Sequence, residues 1–187
     1  VGATLAMSAI KNNDKVGLTL FTDHIEKSVP ARKGSRHVLR LIREMLYCEP
    51  MGTGTDIRQA LEHLNRISNR KCVLFLISDF QDENYESTLK VARRQHDIVP
   101  VVISDQREST MPNVGLIRLQ DAESGEIITL DTASRSNREA YARLYRERSE
   151  ARDAMFRRLR LEPLHIETGV DIVEPLRRYF HKRESRT

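Results

Sequence analysis

The sequence has no tryptophan, two cysteines and an aromatic share of only 5% across 187 residues. Cys48 and Cys72 stand far apart without any Cys-x-x-Cys, which excludes a disulfide framework and a zinc ribbon. The six histidines include no His-Glu-x-x-His, so the common helical zinc site is excluded too. No apolar run approaches the roughly 18 residues that cross a bilayer, and the mean hydropathy is −0.52. Charge of one sign is also scarce in excess: 31 Lys and Arg face 27 Asp and Glu, a net +4, and 39% of residues are apolar. That balance excludes disorder as a class and leaves enough apolar residues for a packed core. Two unpaired thiols predict a reducing, cytoplasm-like compartment.

The chain opens at Val1, already inside an amphipathic pattern with Leu5, Ala6, Ala9 and Ile10 at helical spacing. This predicts the last turns of a helix that begins upstream, so a targeting or membrane segment in the parent protein is left open. Val16 to Phe21 and Ile25 to Val29 flank Thr22-Asp23-His24 and predict an antiparallel strand pair. A helix follows from Gly34-Ser35, with Val38, Leu39, Leu41, Ile42, Met45 and Leu46 at spacings of three and four. After the loop Gly52-Thr53-Gly54-Thr55 comes a second helix with Ile57, Ala60, Leu61, Leu64 and Ile67 on one face.

Cys72 to Ile77 is apolar without alternation, the pattern of a strand covered on both faces, and ends at Ser78-Asp79. A helix from about Tyr85 to Gln95 leads to a second continuous run, Ile98 to Ile103, ending at Ser104-Asp105. Strands alternating with helices predict an α/β fold with a parallel sheet. Val114 to Leu119 and Glu126 to Leu130 flank Asp121-Ala122-Glu123-Ser124-Gly125, the mark of an inserted hairpin. Ser134 to about Arg160 reads as one long helix buried along Tyr141, Leu144, Tyr145, Ala151, Met155 and Leu159. Leu164 to Glu167 and Val170 to about His181 close the chain as strand and helix. No linker or repeat interrupts it, so residues 1–183 read as one domain and 184–187 as a tail.

In open parallel sheets, ligands bind beyond the carboxyl ends of the strands. Three loops are placed there by this reading: Gly52 to Asp56, Ser78 to Asp82, and Ser104-Asp105. A strand-tip carboxylate and a hydroxyl from a glycine-rich loop are hard oxygen ligands suited to Mg²⁺. The simpler roles are structural, with Thr55 as N-cap of the following helix and Asp79 as a cap within its own loop. Asp56 and Asp82 fit as groups supporting the metal-binding loops from behind the ligands, with exposure on a loop the simpler account, and Asp105 as a strand-end polar residue.

Gly54-Thr55-Asp56 opening a helix with Ala60-Leu61, then an apolar strand ending in Ser78-Asp79, resembles the later part of a von Willebrand factor A (integrin I-like) domain. Asp14-Lys15-Val16-Gly17-Leu18 with Phe21, Ser78-Asp79-Phe80 with Asp82, and Tyr179-Phe180 resemble, within that fold, the bacterial domain-of-unknown-function family number fifty-eight. The resemblance runs from Val1 to about His181. It implies a three-layer, Rossmann-like α/β fold, mostly parallel with one antiparallel edge strand, and a metal-ion-dependent adhesion site. Thr55 and Asp79 match that site's Thr and second Asp. Its Asp-x-Ser-x-Ser element is absent from these residues, and the resemblance places it one strand upstream of Val1. A chain lacking that strand would leave a central strand unpaired and would fold poorly by itself. Members commonly carry Gly after the Asp, where this sequence has Phe80. The resemblance implies a non-catalytic, Mg²⁺-dependent protein-interaction module that partners a MoxR-type AAA+ ATPase in protein maturation or assembly.

Two other classes compete. Asp79 would serve as nucleophile in a metal-dependent phosphoryl-transfer or hydrolase site; against this, no Lys follows the second strand and neither a Walker A nor a Gly-x-Ser-x-Gly pattern is present. The arginine-rich helix, with Arg143, Arg146, Arg152, Arg157 and Arg158, offers a basic surface for nucleic acid or a membrane. Glu139, Glu147, Glu150 and Asp153 interleave at pairing distance and no aromatic platform accompanies them, so a solvated face is expected and nucleic acid is not.

Overall fold

A computed structural model describes residues 1–120 and 127–184. Its contacts gather into two compact units, one of Val1–Arg70 with Asp82–Gln95 and one of Lys71–Gln81 with the chain from His96 onward.

The first unit contains α1 (Gly2–Lys11), β1 (Val16–Phe21), β2 (Ile25–Arg32), α2 (Ser35–Tyr47), α3 (Ile57–Ile67) and α4 (Glu86–Gln95). Asn13 stops α1 in the left-handed region at φ 54°, with its amide donating to the Ile10 carbonyl. The antiparallel pair is as expected from the sequence, except that β2 continues past Val29 to Arg32, with a bulge opposite Val16 to Leu18. Gly17 lies at that irregularity because a Cβ there would stand 3.1 Å from the Ala31 amide nitrogen and the Val29 carbonyl oxygen. On α2 the buried residues are Val38 and Leu41, and on α3 they are Ile57, Ala60 and Leu61. Leu39, Leu46 and Ile67, assigned by spacing to buried stripes, are exposed.

The second unit holds β3 (Val73–Ser78), β4 (Asp97–Ser104), α5 (Gln106–Ser109), β5 (Leu116–Gln120), β6 (Ile127–Asp131), α6 (Arg135–Arg158), β7 (Leu164–Glu167) and α7 (Val173–Glu184). The three strands β3, β4 and β7 form a parallel sheet in that order. Burial is highest on the middle strand, where Ile98, Val99, Val101 and Val102 are all buried. β3 instead pairs with β4 alone among the described residues, and only its Leu76 is buried while Val73 is 55% exposed. The expected double covering of β3 is therefore not found. Pro100 is tolerated in the central strand because the ladder to β7 begins one residue later, at Val101.

β5 and β6 pair antiparallel from Leu116↔Asp131 to Gln120↔Ile127, as the hairpin pattern predicts; its turn, 121–126, lies outside the described residues. Thr132, fully buried, closes the open end of the hairpin: its hydroxyl donates to the Gly115 carbonyl at 2.6 Å and accepts from the Val114 amide at 3.0 Å. The long helix α6 is present, but its buried stripe is shorter than its spacing predicts. Met155 and Phe156 are buried on it, followed by Leu159, whereas Leu144 is 52% exposed and Ala151 is exposed. α7 packs on β7 through its buried Leu176 and Tyr179.

Candidate functional site

At the end of β3 the chain turns sharply. The Phe80 amide donates to Ser78 Oγ at 3.0 Å, and the Gln81 amide donates to Asp79 Oδ1 at 3.2 Å. Phe80 itself takes φ 59°, a conformation unusual for a bulky residue. Its ring is buried edge-to-face on Phe156, with centroids 5.1 Å apart and planes at 85°. Phe80 thus occupies a left-handed turn position that favours glycine, and aromatic burial offsets the backbone strain. The Asp79 side chain is left exposed, and its Oδ2 accepts no hydrogen bond among the described residues. Arg152, on α6, reaches the Asp79 carbonyl with its guanidinium while its Nε donates to Asp153 at 3.1 Å.

The tips of β4 and β7 share the same end of this sheet. Asp105 Oδ1 accepts from the Arg107 amide at 2.8 Å, its Oδ2 accepts from the Thr168 hydroxyl, and the Thr168 amide donates to Ser104 O at 2.9 Å. The Thr168 hydroxyl, then the Arg107 amide, hold Asp105 below its ordinary pKa. Asp105 therefore ties two strand ends together, a role its position in the sequence did not reveal.

Thr55 belongs to the first unit. The helix after it is capped by Asp56, not by Thr55: Asp56 Oδ1 accepts the Gln59 amide at 2.8 Å. Burial pushes the Asp56 carboxyl up, and the Gln59 amide, the Gln59 side chain and Arg58 outweigh it, leaving a lowered pKa. A second carboxylate completes the cap, since Asp82 Oδ2 accepts the Ile57 amide at 2.7 Å and its Oδ1 accepts from Glu83 N at 2.6 Å. Asp56 and Asp82 thus have a capping role: they satisfy two amides at the start of α3. Asp82→Ala is expected to destabilise the protein by about 0.5–2 kcal/mol, read from urea unfolding; no change would show the cap to be redundant. The Thr55 hydroxyl, relieved of capping, makes no hydrogen bond among the described residues.

The loop carrying Thr55 is pinned to the β1–β2 turn. Glu26 Oε1 accepts from the Thr22 hydroxyl at 2.8 Å, the Met51 amide at 2.9 Å and the Gly52 amide at 2.8 Å. Gly52 is required at this approach, because a Cβ would lie 2.2 Å from both Thr22 Oγ1 and Asp23 Oδ1. The Asp56 amide donates to Thr22 O at 2.8 Å, and Gln59 Nε2 donates to Asp23 O at 2.7 Å. The Gly52 amide and the Thr22 hydroxyl lower the pKa of Glu26 from its ordinary 4.5. The Asp23 carboxylate, 2.7 Å from His24 Nδ1, raises that of His24 from 6.5. Stability from Glu26 is therefore complete above about pH 4.5 and is lost as pH falls through its lowered value. Stability from His24 is complete below about pH 6.5 and is lost as pH rises through its raised value. Thermal melts across this range are expected to show Glu26→Gln flattening the acid limb alone; an unchanged acid limb would contradict the assignment.

Among the described residues no three His, Cys, Asp or Glu side chains form a group able to hold a metal ion. Asp79, with an unbonded carboxylate oxygen, lies in the second unit and Thr55, with an unbonded hydroxyl, in the first. On α6 the expected ion pairing is partial, with Arg135–Glu139 at 2.7 Å and Arg152–Asp153 at 3.1 Å.

Residues 1–151 match the family model described as "Protein of unknown function DUF58". An uncharacterised protein of Mycobacterium tuberculosis (strain ATCC 25618 / H37Rv) is 30% identical over 145 residues, covering 73% of this chain and 45% of the relative. A Mycobacterium bovis protein, also uncharacterised, gives the same figures. An uncharacterised Mycobacterium avium protein is 31% identical over 100 residues, covering 52% of this chain and 59% of the relative. The chain thus spans about half the length of the curated relatives it matches. No solved structure matches it.

Proposed function

The chain belongs to the DUF58 family, and from that premise we propose that it is a non-catalytic, Mg²⁺-dependent protein-interaction module of the von Willebrand factor A type, with a three-layer Rossmann-like fold. The resemblance implies Thr55, in the first unit, and Asp79, in the second, as its ion-binding residues. The observation that supports the reading is that each residue keeps an oxygen free: Asp56 and Asp82 cap α3 in place of Thr55, and Asp79, whose Oδ1 caps its own turn, keeps Oδ2 without a protein hydrogen bond among the described residues. Such a donor set, a hard carboxylate and a neutral hydroxyl, suits Mg²⁺, which keeps several waters. Mg²⁺ held by Thr55 and Asp79 would offer an open position to a carboxylate oxygen of a partner. The chain's own contribution is orientation: Phe80 fixes the turn that exposes Asp79, and the Glu26 clasp on Gly52 fixes the loop that carries Thr55.

The partner class implied by the family resemblance is a MoxR-type AAA+ ATPase, in protein maturation or complex assembly, within a cytoplasm-like compartment. Capture of such an ATPase by the full-length protein is expected in Mg²⁺ and lost in EDTA or with Asp79→Ala. Equal capture under all three conditions would overturn the metal-dependent reading.

A further inference from the structure

The charge of this chain is unevenly spread. From Lys27 to Tyr47 the sequence carries six Lys and Arg residues against the single Glu44, an excess of five cations in a chain whose whole net charge is +4. The fold gathers this segment around a groove of about 100 Å³, lined from β2 by Lys27, Val29, Pro30 and Arg32 and from α2 by His37 and Arg40. Its shape follows from one residue. Gly34, at φ 103°, reverses the chain between the end of β2 and the start of α2, leaving strand and helix to diverge from a tight corner.

Within the groove the anionic charge is already spoken for. Glu44 receives Lys27 Nζ at 2.8 Å and lies 3.7 Å from Arg40 Nε, and its pKa is lowered chiefly by the Lys27 bond. Arg32 has no ion pair among the described residues, nor do Lys33, Arg36 and Arg43 around it. His37 Nε2 donates to the Val16 carbonyl at 2.8 Å, which fixes the ring as part of the wall. The groove lining is mixed, with Ser28 and an exposed Pro30 beside the buried Val29, and the adjoining helix exposes Leu39, Leu46 and Tyr47 among its arginines. Pro30 and the nearby bulge blunt the β2 edge, so an added strand is disfavoured and side-chain recognition is left. No aromatic stacking platform lines the groove, which disfavours nucleic acid.

We propose that this groove between β2 and α2 is a docking site for an acidic segment of a partner protein, its carboxylates meeting Arg32 and Arg40 and an apolar side chain resting on Pro30. The site is separate from Thr55 and Asp79 and needs no metal ion.

Fluorescence anisotropy with a labelled Glu-Leu-Gly repeat peptide, on the full-length protein in EDTA, tests it without calling on the ion. Binding is expected, weakening as salt rises. The double variant Arg32→Glu/Arg40→Glu is expected to weaken it by about tenfold or more, and Arg143→Glu/Arg146→Glu on α6 to leave it within about twofold. Arg32→Gln/Arg40→Gln is expected to give an intermediate loss and serves as the reading if charge reversal perturbs folding. The proposal is overturned if the peptide does not bind, if a Gln-Leu-Gly repeat binds equally, or if the α6 variant weakens binding as much. It is also overturned if a single-stranded oligonucleotide binds more tightly with the same dependence on Arg32 and Arg40, which would reassign the groove to nucleic acid.

Discussion

Replacing Phe156 by alanine is expected to lower the unfolding free energy by about 3–5 kcal/mol. The ring has no solvent exposure, and it is the partner against which Phe80 packs edge-to-face. Its loss combines three effects in one direction: transfer of a large apolar side chain, an unfilled cavity, and an aromatic pair worth about 0.5–1.5 kcal/mol beyond its area. Far-UV circular dichroism in urea is the fitting readout, because a chain without tryptophan gives little fluorescence signal. A loss below about 1 kcal/mol would show that the Phe156 pocket collapses or is not formed.

The same pair makes a sharper statement through Phe80. A non-glycine residue in the left-handed region carries a penalty of roughly 1–2 kcal/mol. In Phe80→Ala the ring is lost and that penalty remains, whereas in Phe80→Gly the ring is lost and the penalty is relieved. After the added freedom of glycine in the unfolded chain, the glycine variant is expected to be the more stable by about 0.5–1 kcal/mol. This inverts the usual order of the two residues.

Legibility in the sequence depended on whether a residue's role was local. The strand pair around Thr22-Asp23-His24, the alternation of β3, α4 and β4, and the hairpin strands β5 and β6 all follow from turn chemistry and apolar runs, and they are present. Burial was less readable. The unbroken apolar run of β3 promised cover on both faces, yet among the described residues only Leu76 of that strand is buried, whereas β4, paired on both sides, is buried from Ile98 to Val102. Along α6, one helical period spans residues that meet a core and residues that do not, so spacing assigned Leu144 to a stripe that only the last turns bury.

The candidate site divides in the same way. Asp79 at a strand tip and Thr55 before a helix are visible as residue types in place. The capping of α3 by Asp82 depends on a contact across 25 positions, which no local pattern carries. Phe80 looked like a departure from a glycine position, and its compensation by Phe156 lies equally far from local view. The basic groove was hidden because a balanced total charge masks its uneven distribution; a sliding count of charge from Lys27 to Tyr47 would have found it.

The second large effect concerns the ion itself. Without Asp79 the proposed ion loses its carboxylate ligand, and a hydroxyl alone does not hold Mg²⁺ against its hydration. Asp79→Ala is expected to weaken Mg²⁺ by at least about 100-fold, ~2.8 kcal/mol at ~1.4 kcal/mol per tenfold. Thr55→Val removes a neutral ligand and is expected to weaken it less, while Asp82→Ala reduces stability with little direct effect on the ion. At a Mg²⁺ concentration about 100 times its dissociation constant, the wild-type protein gains ~2.7 kcal/mol of apparent stability, and Asp79→Ala gains at most about 0.4 kcal/mol.

Isothermal titration of Mg²⁺ into the full-length protein, run in parallel on wild type, Asp79→Ala and Thr55→Val, measures this most directly. The account predicts one saturable site in the wild type, a weakened one in Thr55→Val and none in Asp79→Ala. Absence of a saturable site in the folded wild-type protein, or an equally tight one in Asp79→Ala, would contradict it.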